Sequence, residues 1–112
     1  MDDCLFCKIV AKKIPARIIY EDDDAVAFED INPQAPTHTL IVPRHHLAGL
    51  KGLSREDGAL VGRLAVVASV LAHKKGLESF RTVVNTGPGA GQTVFHLHLH
   101  LLGGRPMTWP PG

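Results

Sequence analysis

The sequence predicts an α+β domain: a five-stranded antiparallel sheet with one short and one long helix, both helices on one side of it. Three observations carry that expectation. Five short stretches read as strands, mostly joined by brief turns. One long stretch repeats apolar residues at three- and four-residue steps, as a helix does. Residues 94–102 alternate with a period of two, as a strand does.

Taken in order, residues 4–13 read as the short helix, capped by Asp2 or Asp3 and stopped by Pro15. Leu5, Phe6, Ile9 and Val10 form its apolar side. Residues 17–21 and 25–29 form a hairpin across the acidic turn Asp22-Asp23-Asp24. Pro33 and Pro36 make residues 31–36 a loop, because proline suits neither a ladder nor a helix interior. Residues 37–43 are a largely buried strand ended by Pro43. Ser54 opens the long helix, with Asp57 completing a capping-box-like start. Leu60, Val61, Leu64, Val67, Ala68 and Leu71 are its apolar face, Lys74 and Lys75 its last turn, and Gly76 its C′ residue. Residues 81–85 form a further strand. The glycine-rich turn 86–92 then leads into the 94–102 strand. There are no internal repeats and no linker.

Composition excludes several functions. With 112 residues, 1–112 is expected to be one domain with a real core. Hydrophobic residues at 45% and charged residues at 21% are ordinary for a globular chain. A formal net charge of +1, with no basic block, argues against a nucleic-acid binder. No apolar run is long enough to span a membrane. Met1-Asp2-Asp3-Cys4 lacks the features of a secretory signal, so the expectation is a cytoplasmic protein with reduced cysteines.

The chemistry concentrates in residues 94–102. A regular strand places Val94, His96, His98, His100 and Leu102 on one face, the imidazoles about 6.6 Å apart, and Phe95, Leu97, Leu99 and Leu101 on the core face. Three buried imidazoles without partners would be costly, so the row reads as an active-site strand. Two mechanisms are open: metal ligation, or a nucleophilic imidazole beside others that bind a phosphate. Gly87, Gly89 and Gly91 favour the second, because a glycine-rich turn offers backbone N–H groups to an anion.

His96-Leu97-His98-Leu99-His100-Leu101-Leu102 also matches the histidine triad signature. Its surroundings resemble the Hint branch of the histidine triad (HIT) superfamily of nucleotide-binding proteins. The resemblance runs through Ala35-Pro36-Thr37-His38, Val84-Asn85, Gly91-Gln92-Thr93-Val94-Phe95, Gly103-Gly104-Arg105-Pro106-Met107 and Trp109-Pro110-Pro111-Gly112. It covers essentially the whole chain. It implies a hydrolase that cleaves purine nucleoside phosphoramidates through a nucleotidyl-histidine. His98 would be the nucleophile, His100 and His38 would line the phosphate site, and His96 would support the strand. Asn85, Gln92 and Thr93 would bond to phosphate oxygens or the leaving group, Thr93 standing where many relatives carry serine. Asp30 would accept the ribose hydroxyls, and Phe6, Ile9, Phe28, Ile31 and Leu40 would wall the base. A Fhit-like dinucleoside polyphosphate hydrolase, a regulator with vestigial catalysis and a metal-dependent hydrolase are the competing readings.

The Cys4-Leu5-Phe6-Cys7 pair is redox-active, a plain reduced pair or half of a metal site. The superfamily resemblance implies a structural zinc held by Cys4, Cys7, His46 and His96, with His45 the alternative to His46; catalysis itself needs no cofactor. It also implies a two-fold homodimer. A mixed sheet edge at residues 81–85 beside the apolar long helix leaves surface that a small monomer covers poorly, and Trp109 would reach toward the partner's site. His73 reads as a surface residue.

Overall fold

The computed structural model describes residues 3–112. Five strands, β1 (Ile18–Glu21), β2 (Ala25–Glu29), β3 (Thr37–Pro43), β4 (Phe80–Val83) and β5 (Leu99–Gly103), form one sheet. Its order is β1-β2-β3-β5-β4 and every neighbouring pair is antiparallel. The edge strand β4 therefore belongs to a purely antiparallel sheet, not a mixed one. The helices are α1 (Leu5–Val10) and α2 (Gly58–Lys74). No helix among the described residues is long and apolar enough to cross a membrane.

The expected α+β class holds, but the helices lie on opposite faces. Ala25, Ala27, Ile41, Leu99 and Leu101 pack with Leu64, Val67, Ala68, Leu71 and Ala72 of α2. Val26, Phe28, Leu40 and Val42 pack with Phe6 and Ile9 of α1. The reason is in β2 and β3. Residues 25–28 and 38–43 are buried without alternation, so both faces of these central strands need cover. Cross-strand register then sorts the residues. Phe28 lies opposite Leu40 and Leu40 opposite His100, which puts His100 on the α1 side. His38, two residues before Leu40, shares that side.

Several boundaries differ from expectation. The N-cap of α1 is Cys4, whose sulfur accepts the Cys7 N–H at 3.4 Å; Asp3 does not cap, and Asp2 lies outside the described residues. The helix ends at Val10, before Pro15, where Lys12 takes a left-handed φ of 60°. The Ser54–Asp57 capping box forms, but its first turn is a 3-10 helix and α2 proper begins at Gly58. Gly76 follows the C-cap with φ of 69° and turns the chain back toward the sheet.

The largest departure is the histidine stretch. Pairing with β3 begins only at Leu99, opposite Ile41, so residues 94–98 are irregular and the three imidazoles do not share one straight strand. The Leu97 N–H bonds instead to the Leu47 carbonyl at 2.6 Å. Phe95, expected on the core face, is 51% exposed, whereas Leu97, Leu99 and Leu101 are buried. The preceding strand stops at Val83, which leaves Asn85 in a loop rather than on β4.

Candidate active site and metal cluster

Two separate constellations grow from residues 94–100, and His96 divides them. Its Nε2 donates to the Pro43 carbonyl at 2.8 Å, which leaves Nδ1 as a bare lone pair. That Nδ1 lies 3.4 Å from Cys4 Sγ, 3.5 Å from Cys7 Sγ and 3.1 Å from His46 Nδ1. Cys7 Sγ is 3.4 Å from His46 Nδ1. Around tetrahedral zinc, sulfur–nitrogen edges are about 3.5 Å and nitrogen–nitrogen edges about 3.3 Å, from the usual bond lengths. The four donor atoms lie within 4.8 Å of one another, and the set of two thiols and two imidazoles suits that ion. The Pro43 bond is the outer contact that fixes a ligating ring. Burial, with the neighbouring Cys4 thiol, pushes the Cys7 thiol up, and burial pushes His96 down. His45, the alternative ligand, lies elsewhere, lining an exposed cleft with Asp23, Asp24, Arg44 and Glu56.

The second constellation faces the α1 side. Nδ1 of His98 lies 2.8 Å from the His96 carbonyl oxygen, which can only accept, so Nδ1 carries a proton and Nε2 is the nitrogen turned away from that bond. The Phe6 ring stands edge-on to His98, centroids 5.0 Å apart, and steadies it. The Gln34 N–H donates to His38 Nδ1 at 3.0 Å, so the proton of His38 sits on Nε2. That Nε2 lies 2.8 Å from His100 Nδ1 and 3.4 Å from Asp30 Oδ2. His38 therefore donates to His100 Nδ1, and the proton of His100 is on Nε2. This buried nitrogen has no partner among the described residues. Burial, then the neighbouring His98 and His38 rings, push His100 down to about 4, so its ring is neutral near pH 7.

His98 and His100 open into a cleft of about 600 Å³, within the usual range for small-molecule sites. Asp30, Thr93 and the five expected base-wall residues Phe6, Ile9, Phe28, Ile31 and Leu40 all line it. Phe6, Ile9, Phe28 and Leu40 are also core, whereas Ile31 is fully exposed at the rim. His38 lies behind His100. Three expected residues are not brought to the cleft. Gln92 spends its amide on the backbone: Oε1 accepts from the Gly87 N–H, and Nε2 donates to the Ala48 and Val94 carbonyls. Asn85 is partly buried in its loop, and Trp109 is 81% exposed at the chain end. Conversely, Ile14, Pro15, Ala16 and Arg17 line the cleft without having been singled out. Their signal was faint: a proline-broken segment after α1 that had to cross the sheet face.

The antiparallel α+β domain thus sets paired imidazoles at a cleft of small-molecule size, with a separate Cys/His cluster at His96. Comparison gives the family. Residues 11–107 match the HIT domain model, and the chain belongs to that family. It is 51% identical to an uncharacterized HIT-like protein of Synechococcus elongatus, over 99% of this chain and 98% of the relative. A 14 kDa zinc-binding protein of Zea mays is 50% identical, over 96% of this chain and 87% of the relative. Among solved structures, a HIT family hydrolase from Legionella pneumophila superposes with a TM-score of 0.96 at 49% identity, covering 98% of this chain and all of that one.

Proposed function

We propose that the chain is a nucleotidyl hydrolase of the Hint type, cleaving purine nucleoside phosphoramidates to a nucleoside monophosphate and an amine. The observation that carries this reading is the tautomer lock on His98. A carbonyl holds Nδ1–H, so the opposite nitrogen is the one left to act as nucleophile on the cleft wall. Attack forms a bond from Nε2 to the α-phosphorus as the phosphorus–nitrogen bond breaks. The positive charge then developing on the ring faces the His96 carbonyl dipole. The leaving amine must take a proton, which solvent would supply through the Thr93 hydroxyl at the cleft wall, because His100 is neutral and keeps its single N–H for the phosphate. Water attack on phosphorus returns His98 to its starting form.

The unpartnered His100 N–H supports a phosphate oxygen as the missing acceptor, because a buried donor left unpaired is costly. Asp30 would receive the ribose hydroxyls, and the apolar wall from Phe6 to Leu40 would take the base. Gln92 acts, in this reading, by fixing the loop. The test is acid-quenched mixing with a radiolabelled adenosine or guanosine phosphoramidate. Label on the wild-type protein, absent from His98→Asn, is the expected result. A full rate without labelled protein overturns the reading. Faster turnover of diadenosine polyphosphates would favour the Fhit-like alternative.

The Cys4, Cys7, His46 and His96 cluster would hold a structural zinc, a proposal supported by its donor geometry and by the zinc-binding relative from maize. Both thiols are free, as a reducing cytoplasm would keep them. A homodimer is supported by Val66 and Val70 exposed on α2 and Phe80 on the edge strand. In that dimer Trp109 would reach the partner's site. Sedimentation at micromolar concentration tests it, and a monomer there would refute it. Neither nucleic acid nor membrane is a partner in this reading.

A further inference from the structure

Asp30 directly follows β2, and His38 is the second residue of β3, its antiparallel neighbour. The Asp30 N–H donates to the His38 carbonyl at 3.0 Å, so the backbone sets one residue against the other. Their side chains meet as well: Asp30 Oδ2 is 3.4 Å from His38 Nε2, and His100 Nδ1 is 2.8 Å from the same nitrogen. The Gln34 N–H keeps His38 Nδ1 as an acceptor. His38 therefore has a single N–H, on Nε2, with two acceptors in reach of it. We propose that Asp30 is a positioning residue for the His38–His100 pair as well as the ribose partner, and that ribose hydroxyls speed bond breaking by occupying its free oxygen.

The physical argument is a competition. A carboxylate accepts more strongly than a neutral imidazole, because its charge assists the bond. Distance favours His100 and charge favours Asp30. Asp30 Oδ1 accepts the Asn32 N–H at 2.8 Å, which leaves Oδ2 to pivot about a fixed point. The Asp30 side chain is 19% exposed and lines the cleft, whereas the His38 side chain is 5% exposed. With no ribose present, Oδ2 draws on the buried N–H. Ribose hydroxyls donate to Oδ2 and satisfy it, and the His38 N–H then stays with His100.

The consequence falls on His100. With the His38 N–H on its Nδ1, His100 carries its proton on Nε2, the buried donor that the proposed reaction turns to the phosphate. When Asp30 takes that N–H, His100 Nδ1 loses its donor and the proton is free to sit on either ring nitrogen. The tautomer with Nδ1–H turns a lone pair toward the phosphate and repels it. The ribose end of the substrate thus sets the tautomer at the phosphate end. The rate half of the proposal rests on the hydrolase reading, whereas the tautomer half needs only that a nucleotide binds.

Single-turnover cleavage at saturating protein tests the rate half, with an adenosine phosphoramidate and its 2′,3′-dideoxy counterpart. Saturation removes differences in affinity, so only bond breaking is read. The wild-type protein should cleave the dideoxy substrate at least about fivefold more slowly, the effect of one ordinary hydrogen bond. Asp30→Asn and Asp30→Ala should cleave that same substrate faster than the wild type does, because the competing carboxylate is gone. A residue that only binds ribose gives equal saturated rates, and one that only supports the fold gives slower variants. Either result overturns the proposal. The tautomer half is read on the wild-type protein alone, by long-range nitrogen–proton NMR of labelled histidine rings with adenosine monophosphate or its 2′,3′-dideoxy form added. The ribonucleotide should hold His100 with Nδ1 bare and Nε2 protonated, and the dideoxy form should leave a mixture. Identical His100 ring signals with the two nucleotides overturn the coupling. Absence of turnover with either substrate would sink the hydrolase reading, and the tautomers would still decide the coupling.

Discussion

The His96 carbonyl oxygen lies 2.8 Å from Nδ1 of His98, while the His96 ring reaches 3.4 Å from Cys4 Sγ. One residue thus joins the Cys/His cluster to the proposed nucleophile, its side chain serving the first and its backbone the second. Anything that moves His96 changes the tautomer lock on His98.

His98→Asn or His98→Ala should leave the fold intact and remove turnover, by about 10²- to 10⁴-fold or more as expected for loss of a covalent catalyst. His98 is buried edge-on to Phe6, so Asn, which keeps a polar group there, is the gentler of the two variants. Steady-state rates on a nucleoside phosphoramidate provide the check. A variant keeping more than about a tenth of the wild-type rate is incompatible with His98 as nucleophile.

The pH dependence has a defined sign. His100 is pushed from the ordinary 6.5 down to about 4 in the folded chain. Above pH 6.5 it is neutral in both folded and unfolded states and contributes no slope. As pH falls from 6.5 toward 4, the unfolded chain takes up a proton that the folded chain refuses, so stability is lost across that window. His96, pushed down by burial, adds in the same direction. Denaturant midpoints measured across this window should fall with pH, and His100→Gln should flatten part of the slope. A midpoint independent of pH there would contradict the burial of these rings.

Gly104 has φ of 89°, and a Cβ there would meet Pro36 Cβ at 2.9 Å. Gly104→Ala therefore carries left-handed strain, about 1–3 kcal/mol, plus a clash with a rigid ring. Gly52, φ of 79° with open space around it, carries the strain alone. Thermal unfolding should rank Gly104→Ala below Gly52→Ala. Gly104→Ala should also impair turnover, because Arg105 holds the Gln34 carbonyl at 2.9 Å and Gln34 sets the His38 tautomer. Equal melting of the two variants would remove Pro36 from the account.

Much of this was legible in the residues. Strands β2 and β3 fell where β-branched and apolar runs meet Asp and Pro, and the Ser54 capping box and Gly76 marked the ends of the long helical stretch. What failed depended on distant partners. Residues 94–98 keep a period of two whether they pair or not, and here the Leu97 N–H goes to the Leu47 carbonyl while the Pro43 carbonyl takes the His96 ring N–H. Ala25-Val26-Ala27-Phe28 did carry the two-sided burial that puts the helices on opposite faces, in a run easily read as ordinary hairpin. Gln92 offers the same amide to a ligand or to its own loop, and only the positions of Gly87 and Ala48 decide between them. A thiol at an N-cap has no sequence signal, since oxygen side chains dominate that position.

Metal analysis of protein never exposed to chelator should find zinc close to one per chain. Four protein ligands leave no open position, so this ion would not activate water. Its place would instead tie α1 through Cys4 and Cys7 to His46 after β3, and both to His96. Phe6, between the two cysteines, is the residue edge-on to His98. Zinc removal should therefore lower the melting temperature and weaken substrate binding through Phe6 and Ile9, with kcat reduced far less than in His98→Ala. The ligands must be deprotonated to bind, so occupancy should fall in acid. Cys4→Ala with Cys7→Ala should reproduce the zinc-free protein, whereas His45→Ala should keep its zinc, because His45 lies in another cleft. Less than about 0.2 zinc per chain, or a melting temperature unmoved by the double variant, would leave Cys4 and Cys7 as an ordinary reduced pair.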